Sequence, residues 1–472
     1  KTKARIVIRG DLQEKNDKNT FAPTVRFTTM LVLFCLAAMY GWHIHKCDYT
    51  GAFLNAVLPK PVYARFPPGM KRFKNGEEMV LVFFKSIYGL NVSPRYWNQT
   101  QDCEYRNMDY TQLKSDECVY VKNHLAPTYA EVASNKVSPL NRSDFTILAN
   151  HVDDVAVFTP SEEIAERKIP KLFEKYPGTN EGKMKDYCGI RVDQHAKGID
   201  LDQEPYIDSL IDEYELTAQE IKATKCPIDK NICLEDMPAA VQDNIRQPFW
   251  KLCGQLMYVV THTRPDLSYA MNQLSRVAHN PSQKHLGQLH HLLRYTANTK
   301  HYKMKFHRTN EIRLDGYQFR TPPNFDGFSD SSHADCKFTG KSTAGHCFFL
   351  GTQQACVEAI SKILPDVGNS TTENEYIGLS RGAQSGYYVK LLIDELGCFK
   401  DLLTYTMFED NQASLNALKK NVAQSKFRHV RTRWHYLRDL VREKIVSIRK
   451  IHTYHQVADI FTNPLFGQKL NL

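Results

Sequence analysis

The sequence predicts a multidomain protein of the α+β and α/β classes, and three observations lead there. Its 472 residues exceed what one hydrophobic core organises and imply two or three domains. Strand-like segments alternate with helical ones up to about residue 200, and helical spacing takes over from about Tyr206. Strand-like segments return at Phe325, which sets divisions at 1–200, 201–320 and 321–472.

Taken in order, "KTKARIVIRG" alternates, with Lys3, Arg5 and Arg9 on one face and Ala4, Ile6 and Ile8 on the other. That pattern predicts a strand. The chain begins almost inside it, so the natural N-terminus is expected to lie upstream. The apolar run Met30–Trp42 is too short to span a bilayer and reads as a buried helix. "HIHKCDYTGAFLN" reads as a strand ending in Asp48, then a turn into a short helix. In "SIYGLNVSPRYWNQ", Gly89 and Pro94 mark the start of another helix, since Pro is tolerated in a first turn. "TILANHVDDVAVF" reads as two short strands in a hairpin with Asp153 and Asp154 at its tip. Further on, Ile207, Leu210, Ile211 and Tyr214 recur at helical spacing, and a break is expected at Arg264–Pro265. From Phe325 to the end, strands and helices alternate.

Composition narrows the class. Hydrophobic residues make up 42% and charged residues 24%, enough apolar content for real cores. No repeat of fixed period and no low-complexity tract is present, which argues against solenoids and disorder. No signal peptide is visible. The 12 cysteines form no Cys-x-x-Cys pair and sit in apolar segments, as reduced core thiols do. A net charge of +9 suits a polyanionic partner without establishing one.

Asp48 at a strand end and Asp153–Asp154 at a hairpin tip offer three carboxylates from separate strands. Phosphoryl transfer with two divalent ions, roughly 3.5–4 Å apart, needs such a convergence of hard oxygen ligands. A solvated turn is the plainer account of two adjacent acids, because turns favour Asp.

Their neighbours favour the chemistry. "CDYTGAFLN", "SIYGLNVSPRYWN" and "HVDDVAVF" occur in that order and together resemble the reverse transcriptase of copia-type retrotransposons. The resemblance continues through "FAPTVRFTTM", "VYARFPPGM", "GQLMY", "TRPDLSYA" and "LSR", over nearly the whole chain. It implies a right-hand polymerase of fingers, palm and thumb. It makes Asp48, Asp153 and Asp154 metal ligands, with Asp153 shared between two metal positions. Phe53 matches the aromatic gate that collides with a 2′-hydroxyl, although a core Phe would look the same. Tyr88 and Gly89 match the lining of the nucleotide and template pocket. Lys3 and Arg5 resemble the fingers cations on the triphosphate, or else a solvated strand edge. The family has Tyr where this chain has His151, a side chain that can gain charge in mild acid.

A second acid set follows. "FDGFSDSSHAD", "STTENEYIGLSRG", "YTMFEDNQASL" and "HTYHQVADIFTNPL" supply Asp330, Glu375, Asp410 and Asp459. Each alone is an ordinary exposed acid. The order Asp–Glu–Asp–Asp resembles the ribonuclease H domain of the same elements. That resemblance implies a mixed sheet with Asp330 on its first strand and Glu375 on its first helix. Asp410 would end a later strand and Asp459 would open the last helix. Glu373 competes with Glu375. Gly378 and Gly382 follow Glu375 at +3 and +7, where the family packs small residues on the sheet, and this favours Glu375. The stretch "QACVEAISKILPDVGNS" departs from the family, which has a Trp and a Lys-Lys-Gln-like segment there.

"SKFRHVRTRWHYLRDLVREKIVSIRK" places Arg431, His435, Arg438 and Arg442 on one helical face. Val430, Trp434, Leu437 and Val441 form an apolar stripe beside it. That face reads as phosphate contact or as a merely solvated surface. The resemblance implies Mg2+ or Mn2+, two per active site. It implies an RNA template, a DNA primer, deoxynucleoside triphosphates and an RNA–DNA hybrid as partners, together with other parts of the polyprotein and no membrane. The implied setting is intracellular, the cytoplasmic virus-like particle and the nucleus. Two rival functions stand beside this one: a decayed or domesticated nucleic-acid-binding relic, and a chain that retains only the nuclease.

Overall fold

The computed structural model describes residues 6–13, 20–122, 144–228, 237–308, 324–351, 354–397, 404–419 and 431–464. They group into two compact units. The first is Lys1–Met30, Gly41–Met184 and Glu395–Cys398; the second is Leu31–Tyr40, Lys185–Asp394 and Phe399–Leu472. No described helix is long and apolar enough to cross a membrane.

Helix α1 (Phe27–Tyr40) is the buried helix expected from its apolar run. The first unit is built on a six-stranded sheet. Its strands are β1 (His43–Tyr49), β4 (Thr111–Gln112), β5 (Val119–Lys122), β6 (Thr146–His151), β7 (Asp154–Thr159) and β8 (Gly178–Lys183). They lie in the order β8-β1-β7-β6-β5-β4. Between β1 and β4 the chain makes the short helix α2 (Ala52–Asn55), a ribbon of β2 (Val57–Arg65) and β3 (Val80–Lys85), and helix α3 (Ser93–Asn107). Pro94 sits in the first turn of α3, where its missing N–H costs no hydrogen bond. Helix α4 (Glu162–Leu172) buries Ala165, Ile169 and Leu172 in a core with Tyr49, Trp97 and Val155.

The expected first strand does not form over its described part. Ile6 to Arg9 carry no strand, and Ile8 N donates one bond to the Tyr88 carbonyl, 2.9 Å. The chain then coils into a 3-10 turn at Gly10–Leu12, with Arg9 paired to Asp11. Lys3 and Arg5 lie outside the described residues.

In the second unit, strands β9 (Asp186–Tyr187), β10 (Ile190–His195), β11 (Gly198–Asp202) and β12 (Met304–His307) make a four-stranded sheet. β12 lies at the end of a stretch whose periodicity reads as helical, and four residues are too few for an alternation to register. The longer helices beside it are α5 (Glu204–Glu213), α6 (Asp243–His262), α7 (Ser268–Ser275) and α8 (Gln283–Asn298). The break expected at Arg264–Pro265 is present, a 3-10 turn at Pro265–Leu267. Arg264 is buried there. It is fixed by Asp266 at 2.7 Å and by the Thr299 hydroxyl at 2.7 Å, and it lies over the rings of Tyr295 and Tyr302.

The last sheet has β13 (Phe325–Ser331), β14 (Thr343–Leu350), β15 (Cys356–Ile363), β16 (Tyr405–Glu409) and β17 (Val446–Lys450), in the order β15-β14-β13-β16-β17. β13–β14 and β14–β15 are antiparallel, and β13–β16 and β16–β17 are parallel, so the sheet is mixed as expected. Helix α9 (Thr371–Leu396) packs on it through glycines. A Cβ at Gly378 would stand 2.2 Å from Ser331 Oγ, and one at Gly382 2.6 Å from Met407 Cε. Helix α10 (Arg431–Arg442) precedes β17.

Candidate active sites

In the first unit, β1 runs antiparallel to β7 with Asp48 directly opposite Asp154. Directly opposed residues project from the same face of a sheet, so these two carboxylates are neighbours. Asp154 therefore begins a strand rather than sitting at the tip, which Val152 and Asp153 form between β6 and β7. The tip is held from two sides. Trp97 Nε1 donates to the Val152 carbonyl at 2.8 Å, and Tyr49 N donates to the Asp153 carbonyl at 3.0 Å. Val152 has φ +63°, an uncommon conformation for a β-branched residue. His151 ends β6 opposite Asp154.

The electrostatics there are those of crowded acids. Burial, then Asp153 and Asp154, push the Asp48 carboxyl up. Burial also raises Asp154, opposed by Lys46 and reinforced by Asp153 and Glu181. Lys46 stands two residues before Asp48 and pairs with Glu181 on β8 at 3.4 Å. Neither Lys46 nor Glu181 stood out in the sequence. The alternation of Lys46 with Asp48 on one strand face is the signal that was there to read. Phe53 and Tyr88 meet edge to face, ring centroids 5.2 Å apart. Gly89 has φ +92°, and a Cβ on it would stand 2.0 Å from the Ile8 carbonyl oxygen. Its lack of a side chain is thus required by the passing chain.

The second unit draws its acids closer. Asp330 and Glu375 are buried and Asp410 is half-buried, and one carboxylate oxygen of each lies within 4.8 Å of the others. Among the described residues this is the group with such spacing; Asp48, Asp153 and Asp154 do not reach it. Asp330 sits on β13, Glu375 in the first turns of α9, and Asp410 just after β16. Asp459 lies in the 3-10 turn Val457–Phe461 rather than opening a helix, and its charge acts on Asp330. The Thr462 hydroxyl from the same turn donates to Asp330 Oδ2. Burial first, then Asp459 and Asp410, push Asp330 up to about 6 against that hydrogen bond. Burial drives Glu375 upward too, with Glu409, Asp330 and Asp410 adding to it. Glu375 Oε2 is buried with no hydrogen-bond partner.

Glu373 is turned to its own helix start instead. Its Oε2 accepts from Asn369 N at 2.9 Å, and its N–H donates to Ser370 Oγ at 3.3 Å. That is an N-terminal capping arrangement. Glu409, which sequence reasoning passed over, is fully buried beside Glu375, and burial drives its carboxyl well above the ordinary range. It accepts from Ser329 Oγ at 3.2 Å and from Asn411 N at 3.1 Å. The signal was present: Tyr405, Met407 and Glu409 alternate on the buried face of β16.

On α10, Arg442 is exposed and pairs with Asp439 at 2.9 Å, and Arg438 is half-buried near Tyr376. The Arg431 side chain lies outside the described residues. Of the expected apolar stripe, Leu437 is buried, whereas Val441 is exposed and Leu440 is buried in its stead. Val430 and the Trp434 side chain lie outside the described residues.

Residues 1–230 match the family model described as reverse transcriptase (RNA-dependent DNA polymerase). Over 480 residues the chain is 25% identical to a retrovirus-related Pol polyprotein from transposon TNT 1-94 of Nicotiana tabacum, covering 100% of this chain and 33% of that protein. It is 26% identical over 471 residues to the Pol polyprotein from transposon RE2 of Arabidopsis thaliana, covering 98% of this chain and 30% of that one. The chain therefore spans about a third of the length of these curated relatives. A foamy viral protease–reverse transcriptase in complex with double-stranded DNA aligns at TM-score 0.46 and 10% identity, over 90% of this chain and 59% of that one. The family match covers just under half of the 472 residues. The homologues of the chain are Pol polyproteins of transposons, of the Ty1/copia type.

Proposed function

We propose that this chain is the polymerase and nuclease part of a retrotransposon Pol polyprotein. It extends a DNA primer on an RNA template and cuts the RNA strand of the resulting hybrid. Residues 1–200 act as fingers and palm, 201–320 as thumb and connection, and 321–472 as the nuclease. The observation that carries this reading is the convergence of Asp330, Glu375 and Asp410 from three distant segments. A local turn explains none of them together.

The donor set fits hard divalent ions. Three carboxylates crowd one another with an orphan oxygen on Glu375, and such a group is costly unless a cation joins it. Bound Mg2+ or Mn2+, two per site, supplies Lewis acidity and stabilises charge on the phosphate. Asp330, Glu375 and Asp410 bind, Asp459 adds charge from the 3-10 turn, and Thr462 orients Asp330. In the first unit Asp48 and Asp154 present paired oxygens from opposed strands, and Asp153 joins them from a tip pinned by Trp97. Phe53, braced on Tyr88, excludes a 2′-hydroxyl. Arg431, Arg438 and Arg442 neutralise phosphates of the hybrid, and Lys3 and Arg5 those of the triphosphate.

Primer extension on poly(rA) with Mg2+ or Mn2+ tests the first activity, with Asp153→Asn as the inactive control. Release of labelled RNA from a hybrid tests the second, with Asp410→Asn as its control. Parent activity no greater than the controls in both assays rejects the reading. A nuclease-only chain is the second reading, and the palm favours it by placing Lys46 beside Asp48 and Asp154. Hybrid cleavage without extension selects it.

A further inference from the structure

Helix α7 belongs to the helical part of the second unit, yet its polar side chains reach the last sheet. Its apolar residues Ala270, Met271 and Leu274 are buried in the helical core. That leaves Asn272, Gln273 and Arg276 for other contacts. Asn272 Nδ2 donates to Ser361 Oγ on β15 at 2.9 Å. The Ser361 hydroxyl donates onward to the Phe461 carbonyl at 2.5 Å. The next residue is Thr462, whose hydroxyl donates to Asp330. A continuous path therefore runs from α7 through β15 to the acid cluster, along the turn that also carries Asp459.

A second branch reaches the other side of Asp330. Gln273 Nε2 and Arg276 Nη1 donate to Asp335 Oδ2 at 3.1 and 3.2 Å. Asp335 also accepts from the Ser332 hydroxyl at 2.6 Å and the Thr343 hydroxyl at 2.7 Å. Those residues frame the loop that leaves β13 just after Asp330. The turn itself is seated closely on β14: a Cβ at Gly345 would stand 2.5 Å from Phe461 Cβ.

We infer that Asn272 and Ser361 are positioning residues of the nuclease, and that α7 fixes the Asp330–Asp459 side of its ion site. The inference rests on the nuclease reading. Residues that orient ligands without touching the ion change its affinity, and outer partners of this kind are worth about 10–100-fold. The preceding helices are thus part of the nuclease.

The test uses the full chain. Mn2+ binding without nucleic acid is measured by calorimetry, and the nuclease contribution is the part lost in Asp410→Asn. Ser361→Ala is expected to weaken that part about tenfold and to raise the Mg2+ needed for half-maximal hybrid cleavage by a similar factor. The metal-free unfolding midpoint should stay within about a degree or two of the parent, as for a change that makes no cavity in the core. Ser361→Thr keeps the hydroxyl and is expected to restore both readouts. Asn272→Ala, on a half-exposed helix position, gives the same result more weakly and serves if Ser361→Ala fails to fold. Unchanged Mn2+ affinity and Mg2+ dependence in Asn272→Ala and in folded Ser361→Ala overturns the inference alone. A parent chain whose Mn2+ binding and cleavage equal those of Asp410→Asn overturns the nuclease reading, and the inference with it.

Discussion

In the first unit Asp48 and Asp154 are half-buried at the ends of paired strands, and Lys46 stands beside them with its own partner Glu181. In the second unit Asp330 and Glu375 are buried, and the groups acting on them are further acids and hydrogen-bond donors. One set carries part of its neutralising charge in the protein. The other is crowded by further acids. Removing a carboxylate from water disfavours its charged form, and neighbouring carboxylates add to the effect. The buried set therefore gains more from a divalent ion, and its metal-free state is the more strained of the two.

The largest expected effect is on chemistry at the buried set. Asp410→Asn replaces one of three converging carboxylates by a neutral amide and removes a unit of charge, worth several kcal/mol of transition-state stabilisation, about a thousandfold in rate. Hybrid affinity at fixed salt should stay within a few-fold of the parent, because the substitution removes an acid and no phosphate-binding cation. A cleavage rate within tenfold of the parent would break the comparison at its strongest point.

The next effect has the opposite sign in stability. Asp330 has an ordinary carboxyl value of 3.8 and is raised to about 6 in the folded chain. A raised folded value means the native state holds its proton more tightly. That stabilisation is fully present below about pH 4 and is lost as pH rises through about 6. Without divalent ions, Asp330→Asn should therefore unfold at higher denaturant than the parent at pH 8, by about 3 kcal/mol, with no gain at pH 4. Mg2+ should close the difference by stabilising the parent alone. Denaturant titrations with and without EDTA measure both points, and a variant less stable than the parent at pH 8 would show that Asp330 is not under this strain.

Much of this was legible in the sequence, and the residues show why. Asp48, Asp153, Asp154, Asp330, Glu375, Asp410 and Asp459 stand out because they follow apolar strands or open helices, and because their motifs come in a fixed order. The glycines after Glu375 separated it from Glu373, and the structure places Gly378 and Gly382 hard against the sheet. What escaped was whatever depends on contacts distant in sequence. Lys46 and Glu181 meet only across β1 and β8. Thr462 and Asp330 are 132 positions apart. On α10, Leu437 is followed at helical spacing by both Leu440 and Val441, and periodicity alone does not choose Leu440, the one that is buried.

A smaller effect should appear in the first unit when its internal cation is removed. Lys46 opposes the rise of both Asp48 and Asp154, so it competes with a bound ion for the same oxygens. Lys46→Gln should lower the Mg2+ needed for half-maximal extension by about fivefold, the scale of a partly solvated charge pair. Hybrid cleavage by the second unit should not change. An unchanged or higher Mg2+ requirement would mean Lys46 helps the site rather than competing within it.

The smallest expected effect concerns His151, which ends β6 opposite Asp154. A charged imidazole there acts on Asp154 in the same direction as Lys46 and lowers its affinity for protons. Its effect on a divalent ion at the same oxygens has the same sign, because one positive charge disfavours another. His151→Tyr removes that charge and supplies the side chain that the copia-type resemblance expects. Extension by the variant should exceed that of the parent by about twofold at limiting Mg2+, since a half-exposed charge is well screened. Saturating Mg2+ should erase the difference, because the change acts on ion affinity and leaves the bound arrangement alone. A gain that survives saturating Mg2+ would assign the effect to the shape of the tyrosine ring, not to charge.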